Sequence, residues 1–342
     1  MVKKPEIIAL CYFFNKLFTK PLKSAIIMQE KRERKEKMTV IIEQVLTLFI
    51  FVVVGFLLAK TKIIKGSHAP IASKLLVYVF LPANIIKTFA KNCTPAYISE
   101  NYSIILVSFV VLLVIASFSH LGARVFTKEK SEYGIYEYSL AIPNFAYMGY
   151  AFVGAIFGEA GLMDAMMFSM PMSVYTYTIG YCILSGKQFS FKSFLNPTMI
   201  ALVIGTILGL TGAGDIIPPV LYGVLDSSSA CMAPVSMLLV GIVLADYKIP
   251  VLLRDFRIYI ITALRLIIIP VALGVALTAF GASEATVRAA VMLYSMPCGL
   301  NTVVFVKNAG GNCEIGAGLA LLSSVFACVS IPFISYLFGI AV

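Results

Sequence analysis

The sequence has little charge, few histidines and no tryptophan. Only 13% of its 342 residues are charged, and it contains two His and no Trp. Soluble domains carry about 25% charged residues, so this composition excludes an ordinary soluble globular protein. The mean hydropathy of +0.93 and the 60% hydrophobic content indicate a polytopic membrane protein. Because Trp is absent, the 17 Tyr residues must supply any aromatic belt at the membrane interfaces.

Signatures of catalysis and of metal binding are also missing. The chain has no HExxH and no GxSxG motif, and its seven cysteines form no CxxC pair and have no His nearby in metal spacing. We therefore expect no catalytic residue, no metal and no cofactor. The formal charge of +10 is no sign of a nucleic-acid partner, because ten of the 27 basic residues lie in the first 37 positions. Most of the others lie in short links between apolar runs.

Residues 1–37 differ from the rest of the chain, because they are basic and end in the run EKRERKEK before Met38. One interpretation is a basic tail that contacts anionic lipid. The favoured interpretation is that translation starts at Met38 and that this extension is absent from the native protein. An intact mass measurement distinguishes the two.

From Met38 onward the apolar runs are about 20 residues long, the length of a membrane-spanning helix and about twice that of a barrel strand. They predict ten spans: Val40 to Ala59, Ala69 to Ala90, Tyr102 to Phe126, Tyr133 to Gly158, Leu162 to Leu184, Leu195 to Thr211, Pro218 to Ala245, Ile258 to Phe280, Thr286 to Lys307 and Ile315 to Ile340. Five spans fall in each half of the chain.

The two halves have matching proline positions. Pro143 follows Pro82 by 61 residues, and Pro297 follows Pro234 by 63. We therefore divide the chain into the extension (1–37), a first five-helix repeat (38–184), a cytoplasmic link (185–194) and a second five-helix repeat (195–342). Because five is odd, the second repeat must start from the opposite side of the membrane. The predicted fold class is an all-α polytopic membrane protein with two inverted five-helix repeats.

The charges of the links predict the orientation. Links 1–2, 3–4, 5–6, 7–8 and 9–10 hold twelve Lys or Arg residues, and the other links hold three. Positive loops stay in the cytoplasm, so both termini are predicted to be extracytoplasmic, in the cell membrane. The basic residues of the extension oppose this orientation, which is a further reason to question the extension.

Two of the apolar runs contain residues that interrupt helices. The run LAIPNFAYMGYAFVGAIFG at 140–158 contains Pro143 and Asn144, and the run LYSMPCGLNTVVFVKNAGG at 293–311 contains Pro297, Gly299 and Asn301. Proline removes a backbone donor and clashes with the preceding turn. Hydrocarbon tolerates a broken helix only where the freed groups are buried in protein or line a wet cavity. Two interrupted segments in corresponding places point to the binding site of a transporter.

The ends of such half-helices favour an anion, because their free amide groups carry about half a positive charge. The residues predicted to bind substrate are Pro143, Asn144, Tyr147, Met148, Gly149, Pro297, Cys298, Gly299, Asn301 and Thr302. The Asn144 and Asn301 side chains either contact substrate or satisfy the broken backbone. Gly149 and Gly299 fit close helix crossing.

Two charged residues within the spans are candidates for charge compensation or ion coupling. Arg265 lies eight residues into the eighth span and either balances substrate charge or pairs with helix carbonyls. An unpaired charge at that depth is costly. Asp226 is either a proton or cation site, or an acid that is solvated or capped.

The segment IPNFAYMGYAFVGAIFGEAG resembles the fourth-helix signature of the auxin efflux carrier family, and MPCGLNTVVFVKNAGG is similar to the ninth-helix crossover of that family. FLPA at 80–83 resembles its second helix. The resemblance implies that spans one, two, six and seven form a scaffold, which also offers a homodimer contact, and that the others form a transport domain. It implies organic-anion substrates, indole-3-acetate in plants and malate in bacteria. Ala151 and Thr302 replace prolines common in the family. The long plant loop is missing, which indicates a short, microbial, malate-permease-like type.

The main hypothesis is therefore a secondary transporter that exports a small organic anion. The alternative is a sodium- or proton-coupled symporter with the architecture of the bile-acid carriers, with Ser295, Asn301, Thr302 and Ser323 as oxygen ligands. An intramembrane enzyme or a receptor is the third class. No nucleophile and base are paired in the sequence, and no signalling domain is attached.

Overall fold

A computed structural model describes residue 32 and residues 35–36, 38–188, 195–247 and 254–340. The predicted extension thus lies outside the described residues except for three positions, and so does most of the predicted link at 185–194. Within the described ranges the chain is helical and contains no strand. Its one extended pairing there is an isolated antiparallel bridge between Pro143 and Cys298. The all-helical prediction is confirmed.

The helices of the described ranges are numbered in chain order. They are α1 Met38–Lys60, α2 Gly66–Asn92, α3 Pro95–Phe126, α4 Lys130–Ala141, α5 (145–157), α6 (159–185), α7 Pro197–Leu210, α8 Pro219–Ala245, α9 Phe256–Ala279, α10 Glu284–Tyr294, α11 Asn301–Asn308 and α12 Glu314–Leu337. Gly158 divides α5 from α6, because its φ of 67° and ψ of −164° break the helix. Glycine adopts this left-handed conformation without steric cost.

Seven helices of the described chain are long and apolar enough to cross a membrane, when 145–185 is taken as one of them. The helix α7 is shorter, and α10 and α11 are separate short helices. A multi-pass membrane architecture is therefore present, while the number of ten spans stays a prediction.

Side-chain caps define several helix starts. Thr94 accepts a hydrogen bond from the backbone amide of Tyr97 at 3.1 Å, and Pro95 occupies the first position of α3. This combination is typical of a helix N-terminus. It starts α3 seven residues before the predicted Tyr102. Asn196 caps α7 in the same way, again with a proline in the first turn.

The helices pack in two groups. The four-helix group contains α1, α2, α7 and α8, in which α2 packs against both α7 and α8. The helices α1 and α8 cross closely, because a Cβ on Gly241 would overlap the Val52 carbonyl oxygen. The crossover group contains α3–α6 and α9–α12, with α3 against α4 and α6, and α9 against α10 and α12. The breaks between α4 and α5 and between α10 and α11 both lie in the crossover group.

Large apolar side chains are exposed along α3. They include Leu106, Phe109, Val110, Leu113 and Val114, each more than half exposed. Exposure of such a continuous apolar surface to water is unfavourable, whereas lipid tails solvate it. The lipid bilayer is therefore the environment of this surface.

Candidate functional site

The first helix break follows from a proline. The helix α4 ends at Ala141, and Ile142 is extended, with φ −118° and ψ 118°. The residue before a proline is pushed out of the helical region by the proline ring, and Pro143 is that proline. The helix resumes at Phe145, and the Asn144 carbonyl oxygen accepts hydrogen bonds from the Met148 and Gly149 amides at 3.3 and 3.0 Å.

The second break is longer. The helix α10 ends at Tyr294, and α11 begins at Asn301. Within the break, the Thr302 hydroxyl donates to the Gly299 carbonyl oxygen at 2.9 Å. The Cys298 amide donates to Ser323 Oγ of α12 at 3.0 Å. These bonds replace the helical partners that this backbone has lost.

The two breaks are in direct contact. Pro143 and Cys298 form the antiparallel bridge, in which the Asn144 amide donates to the Pro297 carbonyl oxygen at 2.8 Å. Gly299 also lies beside the first break, since a Cβ there would be 3.6 Å from the Pro143 carbonyl oxygen. Both interrupted segments that the sequence singled out are therefore broken, and residues more than 150 positions apart meet at the breaks.

The two asparagines at the breaks differ in their surroundings. The Asn301 Nδ2 group donates to the Tyr138 hydroxyl of α4 at 2.8 Å. The Asn144 side chain is 6% exposed and has no hydrogen-bond partner within the part of the chain that the structure describes. The Asn301 side chain is thus engaged with α4, whereas the Asn144 side chain is not.

The residues after Asn144 connect the break to its neighbours. The Tyr147 carbonyl oxygen accepts a hydrogen bond from Ser236 of α8 at 3.3 Å, which joins α5 to the four-helix group. Met148 is buried. A Cβ on Gly149 would come within 2.9 Å of Leu293 Cδ2, so this glycine permits the close approach of α5 to α10.

Arg265 lies beside the breaks and is fully buried. Its Nη1 group donates to the Leu140 carbonyl oxygen at 3.4 Å, near the carbonyl end of α4. Its guanidinium carbon lies 5.1 Å from the centre of the Tyr294 ring. The Nε and Nη2 groups have no partner among the described residues. The contact with a helix carbonyl agrees with the second interpretation of Arg265, although the guanidinium still has two unused donors.

Asp226 lies at a different place. Its carboxylate is 58% exposed and lies 2.7 Å from Lys87 Nζ, near the end of α2. This exposed ion pair agrees with the second alternative for Asp226, a solvated acid. Asp226 flanks one of two cavities.

These two cavities lie between the helix groups. The α2–α5–α8 cavity has a volume of about 240 Å³ and is lined by residues that include Asn84, Lys87, Tyr150, Glu159 and Ser229. The α2–α8–α11 cavity has a volume of about 250 Å³, and its lining includes Lys74, Asp246, Val303 and Lys307. The predicted substrate-binding residues line neither of them. Each cavity instead borders one of the half-helices that begin at the breaks.

Comparison with known proteins gives the family. The sequence profile of a family described as membrane transport protein matches residues 40–191 and again 182–335. The chain belongs to this family of membrane transporters. The match confirms the resemblance to the auxin efflux carrier family. An uncharacterized transporter of Methanocaldococcus jannaschii is 26% identical over 213 residues, 59% of this chain and 68% of its own length. An uncharacterized transporter of Methanothermobacter thermautotrophicus is 21% identical over 297 residues, 85% and 96% of the two chains.

The transporter also buries acids that the sequence reasoning missed. Glu137 of α4 is 6% exposed, with one oxygen 3.1 Å from His120 Nδ1. Asp164 of α6 is 8% exposed, accepts a 2.6 Å hydrogen bond from the Tyr97 hydroxyl and lies 3.4 Å from Arg288. Neither acid was among the candidate residues drawn from the sequence. Both acids fall inside predicted spans, and an acid within a span was the signal that could have found them.

Proposed function

We propose that this transporter moves a small organic anion by alternating access around the contact between its two helix breaks. The observation that carries the proposal is the bridge between Pro143 and Cys298. The helix α5 begins two residues after Pro143, and α11 begins three residues after Cys298. Each helix start carries about half a positive charge. Two such starts at one place favour an anion without a bound cation.

In this proposal, the side-chain amide group of Asn144 donates a hydrogen bond to the substrate carboxylate. Asn301 faces the site from the second break, and its bond to Tyr138 holds its orientation. Arg265 adds a buried positive charge behind the breaks. The other residues of the predicted site shape its walls: Pro143, Tyr147, Met148, Gly149, Pro297, Cys298, Gly299 and Thr302.

Access to the site follows from the two cavities. The half-helix α5 lines the first cavity with Tyr150 and Gly154, and α11 lines the second with Val303 and Lys307. We infer that the chain has ten spans in two inverted repeats, so that these cavities open to opposite sides of the membrane. The four-helix group is the scaffold, and a homodimer forms through it. The crossover group moves relative to this scaffold during transport. The protein lies in the cell membrane, and both of its termini are extracytoplasmic.

The direction of transport follows from the membrane potential. When a monovalent anion leaves a cytoplasm at about −100 mV, its free energy falls by about 2.3 kcal/mol. This free energy can sustain an external concentration roughly fifty-fold higher than the internal one. Export therefore needs no coupled ion. The second candidate is a proton-coupled symporter, and the observation that favours it is the buried Glu137 carboxylate, whose oxygen lies 3.1 Å from His120 Nδ1.

Transport by the full-length protein in proteoliposomes tests the proposal. Labelled malate, succinate and indole-3-acetate are offered under an imposed potential, with and without sodium or proton gradients. We expect at least one acid to move, and Asn144→Ala to slow it about tenfold, the effect of one lost charge-assisted hydrogen bond. Asn312→Ala, at an exposed position between α11 and α12, serves as the control. If no acid moves and Asn144→Ala equals the wild type, the anion proposal fails. A requirement for a proton gradient selects the symporter.

A further inference from the structure

The α2–α5–α8 cavity contains a lysine that is mostly removed from water. The Lys87 side chain is 18% exposed, and its Nζ lies 2.7 Å from Asp226 Oδ1 and 3.5 Å from Glu159 Oε1. An ammonium group has three donors and no acceptor. Among the described residues these two carboxylates are its only oxygen partners, and the Glu159 contact is long. Lys87 therefore keeps capacity for another carboxylate.

Glu159 can leave Lys87 without becoming an unpaired charge. Its second oxygen lies 2.9 Å from Lys91 Nζ, one turn farther along α2. A carboxylate that replaces Glu159 at Lys87 therefore leaves each of the four protein charges with a partner. An exchange of this kind avoids the large cost of an uncompensated buried charge.

The remaining walls of the cavity supply polar groups. Ser229 Oγ donates to Asn84 Oδ1 at 2.8 Å, while the Asn84 Nδ2 group has only the sulfur of Met232 at 3.6 Å. Because a thioether is a weak acceptor, this amide group is available to a better one. The helix α6 begins at Glu159 and adds the partial positive charge of its N-terminus.

The size of the cavity limits the ligand. About 240 Å³ holds roughly eight water-sized groups at about 30 Å³ each. The space therefore fits a small carboxylate of about eight non-hydrogen atoms. A second polar group on such a ligand can accept from Asn84.

We propose that Lys87 binds the carboxylate of a small polar organic acid in this cavity and that Glu159 is the internal carboxylate which the acid replaces. The inference rests on the proposed function and adds a second contact point for the same substrate, separate from the helix breaks. Lys87 belongs to the four-helix group and Glu159 to the crossover group. Binding of the acid thus removes one of the two ion pairs that Glu159 makes with α2.

Equilibrium binding to the full-length transporter in nanodiscs tests this assignment, with labelled succinate and lactate as small probes and indole-3-acetate as a larger one. We expect Lys87→Gln to raise the Kd for the small acid about tenfold or more. Lys87→Arg keeps the charge and stays near the wild-type Kd. The control is Lys65→Gln, because Lys65 is exposed, does not line the cavity and has no part in the exchange.

Glu159→Gln separates a binding role of Lys87 from a purely structural one. Since Glu159 competes with the ligand, its neutralisation is expected to lower the Kd of the small acid, whereas loss of a structural ion pair would raise it. If Lys87→Gln does not fold, the Glu159→Gln result decides alone. Unchanged binding by a folded Lys87→Gln variant, weaker binding by Glu159→Gln, or no binding of either small acid to the wild type overturns the assignment. Anion transport by the wild type that Asn144→Ala slows about tenfold, together with unchanged binding by Lys87→Gln, overturns only this inference and leaves the proposed function standing.

Discussion

Replacement of Arg265 with methionine is expected to leave the transporter at least as stable as the wild type while weakening transport. The guanidinium is fully buried, makes one 3.4 Å hydrogen bond to the Leu140 carbonyl oxygen, and leaves Nε and Nη2 without a partner among the described residues. Methionine fills a similar volume and has no buried donor to satisfy.

The magnitudes can be compared directly. Each unpartnered buried nitrogen costs about 1–3 kcal/mol. Against this stand the long hydrogen bond to Leu140 and the contact with the Tyr294 ring, at about 1–2 kcal/mol each. The balance of these terms centres on about 1 kcal/mol in favour of Arg265→Met. At an effective dielectric constant of about 20, loss of a unit positive charge near the breaks weakens anion binding by about 1–4 kcal/mol, so the affinity for an anion should fall at least about fivefold.

Arg257 provides a matched control, because it lies in the same helix and each of its three side-chain nitrogens contacts an acceptor. It contacts Asp255 at 2.6 Å, Glu132 at 3.0 Å and the Phe126 carbonyl oxygen at 3.0 Å. We expect Arg257→Met to lose about 2–4 kcal/mol, since it leaves two partly buried carboxylates without their partner.

Thermal unfolding in one detergent at one scan rate, followed by helical circular dichroism, measures both variants. At about 2 °C per kcal/mol, the apparent Tm should rise by about 2 °C for Arg265→Met and fall by about 4–8 °C for Arg257→Met. Anion transport is measured in parallel. A fall in Tm for Arg265→Met comparable to that of Arg257→Met would show that the Arg265 donors are satisfied and would refute the reasoning.

Three further outcomes are expected. Gly241→Ala should strongly lower the Tm, because a Cβ there overlaps the backbone of α1. The control is Gly223→Ala in the same helix, where a Cβ meets nothing within 4 Å, and this variant should gain up to about 1 kcal/mol of helix propensity. Equal Tm values for the two variants would contradict the close crossing of α1 and α8. Asn301→Ala removes the 2.8 Å bond to the Tyr138 hydroxyl, so unfolding should become easier by about 1 kcal/mol, and Tyr138→Phe should cost a similar amount, with the double variant less than additive. Burial by itself would raise the pKa of Asp255, but hydrogen bonds from Arg257 outweigh burial and lower that pKa. The stability that the ionised Asp255 adds is therefore present above about pH 4 and is lost as the pH falls. The Tm difference between the wild type and Asp255→Asn should accordingly vanish in acid.

Several features of this protein could be read from the sequence because they depend on local chemistry. The apolar runs predict helices in a membrane, and Pro143 and Pro297 predict where two of these helices break. The break at Pro143 results from one proline ring acting on Ile142, which is a neighbour in sequence. The start of α3 was also encoded locally, in Thr94 and Pro95, but hydropathy alone placed it too late because polar residues fill its first turns.

The availability of each site residue was decided only by tertiary structure. Asn144 and Asn301 occupy similar positions in sequence, yet the Asn301 side chain donates to the Tyr138 hydroxyl, while the Asn144 side chain makes no hydrogen bond in the described chain. The sequence left open whether Arg265 contacts a helix carbonyl, and the packing of α9 beside α4 set that contact.

The same holds for the charges. Asp226 was a candidate coupling residue, but it is solvated and paired with Lys87, whereas Glu137 and Asp164 are the buried acids. The sequence determined the helices and their interruptions, because proline and apolar periodicity act within a few residues. The pairing of charges across α2, α6 and α8 was decided by the fold alone, because apolar helices of similar composition can pack in many ways and only one arrangement brings these particular side chains together.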